Sequence, residues 1–527
     1  MFDLLLKNGW IIDGTGTPAF RADLAIQNGK IGAIAPEIDP GMAEKTLDVS
    51  GLCVAPGFLD IHSHSDITFT EDDRGEGKLF QGVTSELVGN CGISPFPFLP
   101  EMKKTLEPYV GVTAKGNFAA PSLAAFLKGV EERGNKMGTN LLPLVGHGTL
   151  RAGVLGYEDR PAEKAERKAM RRLLREDLET GAWGLSLGLG YTPGLSADLE
   201  ELAEMGLEVA DFGGIITSHM RNQREKTPDS LEEMFEINRR SGAHVHIAHF
   251  KAVMPSCRGK AGEWIRILEE AKASGVHVTA DVYPYNASNS EVTNSFPKWA
   301  IMGGKERALA AVYGEERERL LADLAERFPG EEEGERLLFV HTNGVYPELE
   351  GKTLEEIRKI WGLSRAEALA KIAYDTDARA DCINFCMDEA DVEKMLRQED
   401  FSIGSDGCCF SFDPALNQGK PHPRNFGTFP RFLRLCREKA LCSKEMAVRR
   451  ITGQSADYIG LKGRGYLREG LAADITVFDW ERITDKASYL NPFEKPEGIA
   501  YVLMDGRIAL EKGVQTETRL GKILLKK

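Results

Sequence analysis

Several absences narrow the reading of this sequence. No apolar run approaches the roughly 18 residues needed to cross a bilayer. Residues Met1–Gly9 also lack the basic start, long apolar segment and small-residue cleavage site of a secretion signal. The expectation is a cytoplasmic protein without a membrane partner. A basic excess is missing too: 66 Lys and Arg face 80 Asp and Glu, a net charge of −14, which argues against a nucleic-acid partner. The nine cysteines are odd in number, at 53, 91, 257, 382, 386, 408, 409, 436 and 442, with no disulfide-like or Cys-x-x-Cys spacing. Most are expected to be buried thiols, with one a candidate ligand. No internal repeat or low-complexity segment stands out. What remains is an ordinary globular balance, 42% hydrophobic and 28% charged over 527 residues. That length allows two or three domains, or one barrel of about 250 residues or more carrying extra elements.

Both ends of the chain read as β structure. Short apolar runs at Leu4–Leu6, Trp10–Ile12, Leu24–Ile26 and Ile31–Ile34 are broken by Asn8-Gly9, Asp13-Gly14 and Asn28-Gly29, the punctuation of hairpins. The far end repeats the style at Ile475–Phe478, Ile499–Met504, Asp505-Gly506 and Val514–Glu517. The expectation is one small β domain built from residues 1–55 and 463–527. Between them, β-type runs recur at 56–64, 83–90, 141–147, 182–189, 213–219, 243–249, 277–283 and 401–405. Helix-length segments such as Pro161–Thr180 and Leu231–Ser241 separate them. This alternation predicts an α/β fold, a (β/α)8 TIM barrel over residues 56–462. The long interval of about 286–400, with helical tracts at Gly314–Arg327 and Arg365–Ile372, is read as an insertion before the last strand.

A barrel of this kind collects its active site at the C-terminal ends of its strands. Metal-capable residues fall there. The first predicted strand ends in Asp60-Ile-His62-Ser-His64, the second in Asn90-Cys91, the fifth in Ser218-His219, the sixth in Ala248-His249 and the eighth in Gly404-Ser405-Asp406-Gly407. His62 and His64, two apart, share a face of an extended strand. A catalytic zinc keeps one position open and takes about three protein ligands, nitrogen or sulfur preferred, which Cys91, His219 and His249 are able to supply. Strict alternation puts His246 on the face opposite His249, and His249 is chosen because it lies nearer the strand end. Asp406, following the last strand, is placed to take a proton from a metal-polarised water. His147 reads as a loop histidine, and His277 and His341 as ordinary ones.

The pattern resembles the metal-dependent amidohydrolase superfamily, and within it the N-acyl-D-amino-acid deacylase (D-aminoacylase) family. The resemblance is carried by Pro56-Gly-Phe-Leu-Asp-Ile-His-Ser-His64, Gly89-Asn-Cys-Gly92, Gly146-His-Gly-Thr-Leu-Arg151, Ser218-His-Met-Arg221, Ala248-His-Phe-Lys251, Asp281-Val-Tyr-Pro-Tyr285, Gly404-Ser-Asp-Gly407 and His422-Pro-Arg-Asn-Phe-Gly-Thr-Phe-Pro430. It implies that Cys91, His219 and His249 bind one tight Zn2+. His62, His64 and Asp406 then form a second, weaker metal position or line the site, and Asp406 doubles as general base. It further implies that Arg424 contacts the α-carboxylate of a small-molecule substrate, helped by Lys251, Tyr283 and Ser288. Tyr191 lines the pocket and the insertion acts as a lid. Two alternatives stay open: a cyclic amidohydrolase of the hydantoinase or dihydroorotase kind, whose fourth-strand lysine is missing from Gly184–Leu189, and a catalytically silent barrel scaffold. Finally, Glu291, just past the seventh strand, is expected to face the substrate's side chain and repel acidic ones, favouring neutral or basic D-amino acids.

Overall fold

This computed structural model describes all residues except 70–72, 100–118, 254, 418 and 517–518. Its first strand, β1 (Phe2–Ile11), runs straight through Asn8-Gly9, where a turn was expected. The pair forms a bulge instead. The register against β2 (Phe20–Gln27) shifts between Leu6 and Gly9, and Asn8 takes a φ of 66°, which asparagine tolerates. The physical reason is Asp23, whose carboxylate accepts both the Asn8 N–H (2.8 Å) and the Lys7 Nζ (2.8 Å). Asn28-Gly29 does turn the chain: Gln27 pairs with Lys30 and both turn residues have positive φ, 51° and 74°, the geometry of a two-residue hairpin. β3 (Lys30–Ala35) follows, then β4 (Ala43–Asp48) and β5 (Cys53–Pro56), both parallel to β1.

The barrel begins with β6 (Phe58–Asp60) and β7 (Val83–Val88). Its third strand is interrupted at Leu144 into β8 (Asn140–Pro143) and β9 (Val145–Gly146), after which come β10 (Gly184–Gly188), β11 (Ile215–His219), β12 (His244–Ile247) and β13 (Val278–Val282). An insertion intervenes, with β14 (Ser288–Glu291), β15 (Leu337–His341) and β16 (Asp381–Asn384), before the eighth strand, β17 (Phe401–Ile403). The barrel strands pair in parallel in the orders β6-β7-β8 and β9-β10-β11-β12-β13-β17. The ring closes where Ser63 bridges Gly407 and the Asp406 N–H donates to the His62 carbonyl (2.8 Å).

The helices between strands are amphipathic in the expected way. In Lys164–Thr180, Met170, Leu173, Leu174 and Leu178 recur at three- and four-residue spacing and are buried; the helix opens on a Glu163/Glu166 capping box and ends at Gly181, φ 115°. These side chains share one core with Leu185, Leu187, Ile216, Val245, Ile247, Val278 and Ala280 on the outer face of the strands. The inner face is polar. Thr217 Oγ1 donates to Asn90 Oδ1 across the barrel (2.9 Å), and His246 sits between Thr279 Oγ1 (2.8 Å) and Asp281 Oδ2 (3.0 Å). Such groups are tolerated inside only because they are paired. They form a hydrogen-bonded floor beneath the strand ends.

The insertion holds an antiparallel sheet in the order β14-β16-β15 and a core of its own, including Val292, Leu324, Phe339, Leu354 and Leu369. It is shorter than the interval expected. Helix Glu389–Leu396 buries Met395 and Leu396 in the barrel core and is therefore the barrel's seventh helix. Met387 bridges Val253, which follows β12, so the insertion is tied to the C-terminal rim of the barrel.

Past the barrel, β18 (Ile475–Phe478) pairs with β5, and β19 (Ile499–Met504), β20 (Arg507–Glu511) and β21 (Val514–Gln515) extend a sheet ordered β21-β20-β19-β18-β5-β1-β2-β3, with β4 beside β1. One sheet thus draws on both ends of the chain. The final residues leave it: Ile523 bridges Leu141 of β8, and the Lys526 N–H donates to the Gly181 carbonyl. This tail satisfies barrel backbone groups, so residues 463–527 do not all belong to the small domain. Among the described residues, no helix is long and apolar enough to cross a membrane.

Candidate metal centre

Three of the candidate ligands leave their strands through left-handed backbone: Cys91 (φ 54°), His249 (φ 38°) and Asp406 (φ 52°). Outside glycine this conformation costs of order 1 kcal/mol or more and gathers at functional sites. At His249 it overturns the alternation argument. His246 Nε2 lies 3.0 Å from Asp281 Oδ2 while the His249 N–H donates to Asp281 Oδ1 (2.9 Å), so both histidines face the barrel interior rather than opposite sides.

The ligand atoms converge as two groups of four and three, His62/His64/Cys91/Asp406 and Cys91/His219/His249, each with its atoms within 4.8 Å of one another. Cys91 belongs to both. Its Sγ lies 3.4 Å from His62 Nε2, 3.6 Å from His249 Nε2 and 3.9 Å from His219 Nδ1, while His219 Nδ1 and His249 Nε2 are 2.9 Å apart. Tetrahedral zinc ligands would be separated by about 3.6 Å for sulfur to nitrogen and about 3.3 Å for nitrogen to nitrogen, from bond lengths of about 2.3 and 2.05 Å. The donor set therefore fits a zinc-type ion without rearranging the backbone. Around it, Gln223 Nε2 meets His249 Nδ1 (3.1 Å), and Asp281 Oδ2 lies 3.5 Å from His62 Nδ1, contacts of the kind that fix ligand orientation.

Protonation suits ligation at Cys91, His219 and His249, whereas His62 and His64 are raised against the effect of burial, His62 by Cys91 and Asp281 and His64 to about 9 by Asp406 and Cys91. Burial opposes ionisation of Cys91, but the charge of His62 and the rings of His219 and His249 outweigh it and hold the thiol well below its ordinary value, favouring the thiolate that binds metals. Burial and the Lys251 charge push His249 down to about 4, and burial also lowers His219, leaving neutral imidazoles with a lone pair to donate. Asp406 resists burial as well: Arg424, with His64, His249 and His62, holds it well below the usual carboxylate range.

Of the substrate-binding candidates, the structure brings Arg424, Lys251, Tyr283 and Tyr191 around this cluster. Arg424 Nη1 donates to Asp406 Oδ2 (2.7 Å) and its guanidinium lies over the Tyr283 ring (5.5 Å). Lys251 Nζ approaches the Tyr283 hydroxyl (3.4 Å), and the Tyr191 hydroxyl meets His219 Nδ1 (3.1 Å). Ser288, on β14, contacts Cys386 Sγ (3.4 Å), and Cys386 packs with Tyr283, Tyr285 and Val253. Glu291 is not among them. It is exposed at the end of β14, opposite Asp381, with Lys305 and Arg379 among the charges that act on it. His147 is likewise not a loop histidine: it opens helix His147–Leu155, fully buried, with Nε2 2.7 Å from Glu201 Oε1. Arg151 also pairs with Glu201. Burial raises the Glu201 carboxyl, but His147 and Arg151 bring it down to about 2. Its stabilising effect is thus present above the unfolded value of about 4.3 and lost as pH falls through about 2. Glu201→Gln is expected to cost about 3–5 kcal/mol at pH 7, because it strands a buried cation, and to flatten acid unfolding between pH 4 and 2. Urea titrations at several pH values would check this, an unchanged acid slope counting against it.

One residue escaped the sequence reading entirely. Lys78 is fully buried, with Nζ 2.7 Å from Asp60 Oδ2, 3.3 Å from Glu86 Oε2 and 2.8 Å from Ser405 Oγ. Asp60 Oδ1 in turn accepts the N–H groups of His62 (3.2 Å) and Ser405 (2.9 Å). The lysine thereby locks together the strand ends that carry His62, His64 and Asp406. Parity along β6 puts Asp60 on the same face as His62, but nothing in the sequence marks Lys78 as its partner. Lys78→Met leaves two buried carboxylates facing each other and is expected to destabilise the protein by about 3–5 kcal/mol. Chemical denaturation of the chelated protein is the measurement; a loss below about 1 kcal/mol would mean the three charges act independently.

Candidate histidine, cysteine and aspartate ligands gathered at the strand ends of a (β/α)8 barrel are what a metal-dependent amidohydrolase requires, and the comparisons show that family. Residues 45–313 match the model of the amidohydrolase family. The chain is 33% identical to an N-acyl-D-glutamate deacylase of Alcaligenes xylosoxydans xylosoxydans, over 96% of this chain and 93% of that protein. It is also 33% identical to a D-aminoacylase of the same organism, over 99% and 97%. The crystal structure of an N-acyl-D-glutamate deacylase from Bordetella bronchiseptica, complexed with zinc and a phosphonate inhibitor that mimics the reaction's tetrahedral intermediate, superposes with a TM-score of 0.83 at 32% identity, covering 99% of each chain. The chain belongs to the amidohydrolase family and, within it, to the N-acyl-D-amino-acid deacylases.

Proposed function

We propose that the protein hydrolyses the amide bond of N-acyl-D-amino acids, releasing a D-amino acid and a carboxylate, with zinc held by Cys91, His219 and His249 and a second, weaker position at His62, His64 and Asp406. The observation that carries this reading is the shared Cys91 thiolate at the meeting point of both ligand groups. A bound zinc ion supplies Lewis acidity that polarises the amide carbonyl and lowers the pKa of water towards ~7. Asp406 takes the attacking water's proton through Oδ1 and returns it to the leaving nitrogen, acid–base work for a carboxylate in hydrogen-bond reach. His64, 3.2 Å from that oxygen, steadies the carboxylate and faces the developing oxyanion. Among the described residues the Arg424 guanidinium hydrogen-bonds through Nη1 alone, to Asp406, which leaves its other N–H donors for the substrate's α-carboxylate. Lys251, buried and among the described residues held by a long hydrogen bond to the Tyr283 hydroxyl, supplies a second cation for the same group. With the carboxylate held here and the amide carbonyl at the metal, two substituents of Cα are fixed, and the D and L enantiomers then exchange the places of side chain and hydrogen, which is what selects the configuration.

The cyclic-amidohydrolase alternative meets a steric obstacle. β10 reads Gly-Leu-Ser-Leu-Gly, without the fourth-strand lysine of such enzymes, and at its C-terminal end a Cβ on Gly188 would stand 2.1 Å from the Cys91 carbonyl oxygen. The Cys91 backbone therefore bars a side chain from Gly188.

The test pairs metal analysis with hydrolysis of N-acetyl-D-leucine, N-acetyl-D-glutamate and their L enantiomers. Zinc-dependent release of the D-amino acids, abolished by chelation and restored by zinc, is expected. Turnover of hydantoins instead, or none of the amides by fully loaded protein, would overturn the reading.

A further inference from the structure

The helix that begins at Arg424 runs to Lys439 and ends on Ala440, whose left-handed backbone (φ 49°, ψ 50°) turns the chain back on itself. That reversal sets Cys442 against the helix, its Sγ 3.6 Å from Cys436 Sγ. A disulfide needs about 2.05 Å between the sulfurs, so side-chain rotation has only ~1.5 Å to close. We propose that Cys436 and Cys442 are a dithiol–disulfide pair, a site of reversible oxidation with Cys442 as the attacking thiol and Cys436 as the resolving one.

A second, independent observation is Arg450. It is fully buried, its Nε and Nη1 donate to the carbonyls of Phe401 (2.7 Å) and Leu396 (2.6 Å), and its Nη2 lacks a hydrogen-bond partner. Its face lies over the Phe432 ring at 4.8 Å. None of its hydrogen bonds among the described residues goes to a carboxylate, although a buried guanidinium calls for a counter-anion. Cys442 Sγ, 4.0 Å from Nη1, can supply one when it ionises. Cys442 is half-buried while Cys436 is 2% exposed, so only Cys442 is open to an oxidant. Hydrogen bonding with Cys436, helped by Arg450, brings the Cys442 thiol down to about 7, whereas Cys436 is pushed up. This is the asymmetry that divides nucleophile from resolving thiol.

With a small-molecule disulfide such as glutathione disulfide as oxidant, the Cys442 thiolate attacks one sulfur, the S–S bond breaks, and one glutathione thiolate leaves to be protonated by water. The Cys436 thiol then attacks Cys442 sulfur in the mixed disulfide and expels the second glutathione, which carries off the proton. Two protein thiols are oxidised, and one glutathione disulfide is reduced to two thiols.

The experiment is a peptide map. The intact, metal-loaded protein is incubated with glutathione disulfide, its free thiols are alkylated, and it is cut with trypsin. Cleavage after Arg434, Arg437, Lys439 and Lys444 places the two cysteines on separate peptides, 435–437 and 440–444. The expected product is those two peptides joined, a species that dithiothreitol removes. Cys436→Ser is expected to retain one glutathione on Cys442, and Cys442→Ser to take none on Cys436. Absence of the joined pair in the wild-type protein, or equal glutathionylation of Cys436 in the Cys442→Ser variant, would overturn the proposal.

Discussion

Asp406→Asn is expected to lower kcat/KM by ~10²-fold or more while the protein keeps its fold and the metal of the Cys91/His219/His249 group. The geometry makes the substitution selective. An asparagine oxygen still accepts from Arg424 Nη1, now 2.7 Å from Asp406 Oδ2, so the rim of the site holds its shape. The other atom, 3.2 Å from His64 and 3.5 Å from His62, becomes an amide nitrogen that accepts no proton. Metal analysis beside the kinetics separates loss of the base from loss of the ion. Most activity surviving at unchanged metal content would remove Asp406 from the role of general base.

Cys91→Ala is expected to weaken zinc binding by ~10²-fold or more, and further than His62→Ala does. Even residues that only orient ligands cost 10–100-fold in affinity when removed, and Cys91 supplies both a bond and a negative charge. Its Sγ is common to both ligand groups whereas His62 belongs to one, so the alanine removes a donor from each position at once. Equilibrium dialysis of the two variants decides the matter. Equal losses would mean that a single ion is shared by all the ligands or that the ligand set is wrong.

The parts of the site that could be read in the sequence are those set by local periodicity. Alternation of strands and helices gave away the barrel, and strand ends collected His62, His64, Cys91, His219, His249 and Asp406. What escaped depends on the sign of φ or on partners far apart in the chain. Asn8-Gly9 looks like a turn until Asp23 is seen accepting the Asn8 N–H and the Lys7 ammonium. His246 and His249 seem to face apart until the backbone reverses hand between them. Lys78 carries no motif at all, and its carboxylate partners lie on β6 and β7, with Ser405 more than 300 residues on. The pairing of Arg424 with Asp406 joins two motifs that were each assigned a separate task. Among the described residues, the hydrogen bond between them uses Arg424 Nη1.

The shared sheet has a consequence for biosynthesis. Strand β5 lies between β1 and β18, yet β18 emerges from the ribosome more than 400 residues after β5. At a synthesis rate of 5–20 residues per second, the Cys53–Pro56 edge waits roughly 20–80 s for its neighbour. During that interval the nascent barrel can close its own ring, but the amino-terminal strands present an open edge, a template for pairing with another chain. A chain that ends before residue 475 would therefore keep the Cys53–Pro56 edge unpaired for good.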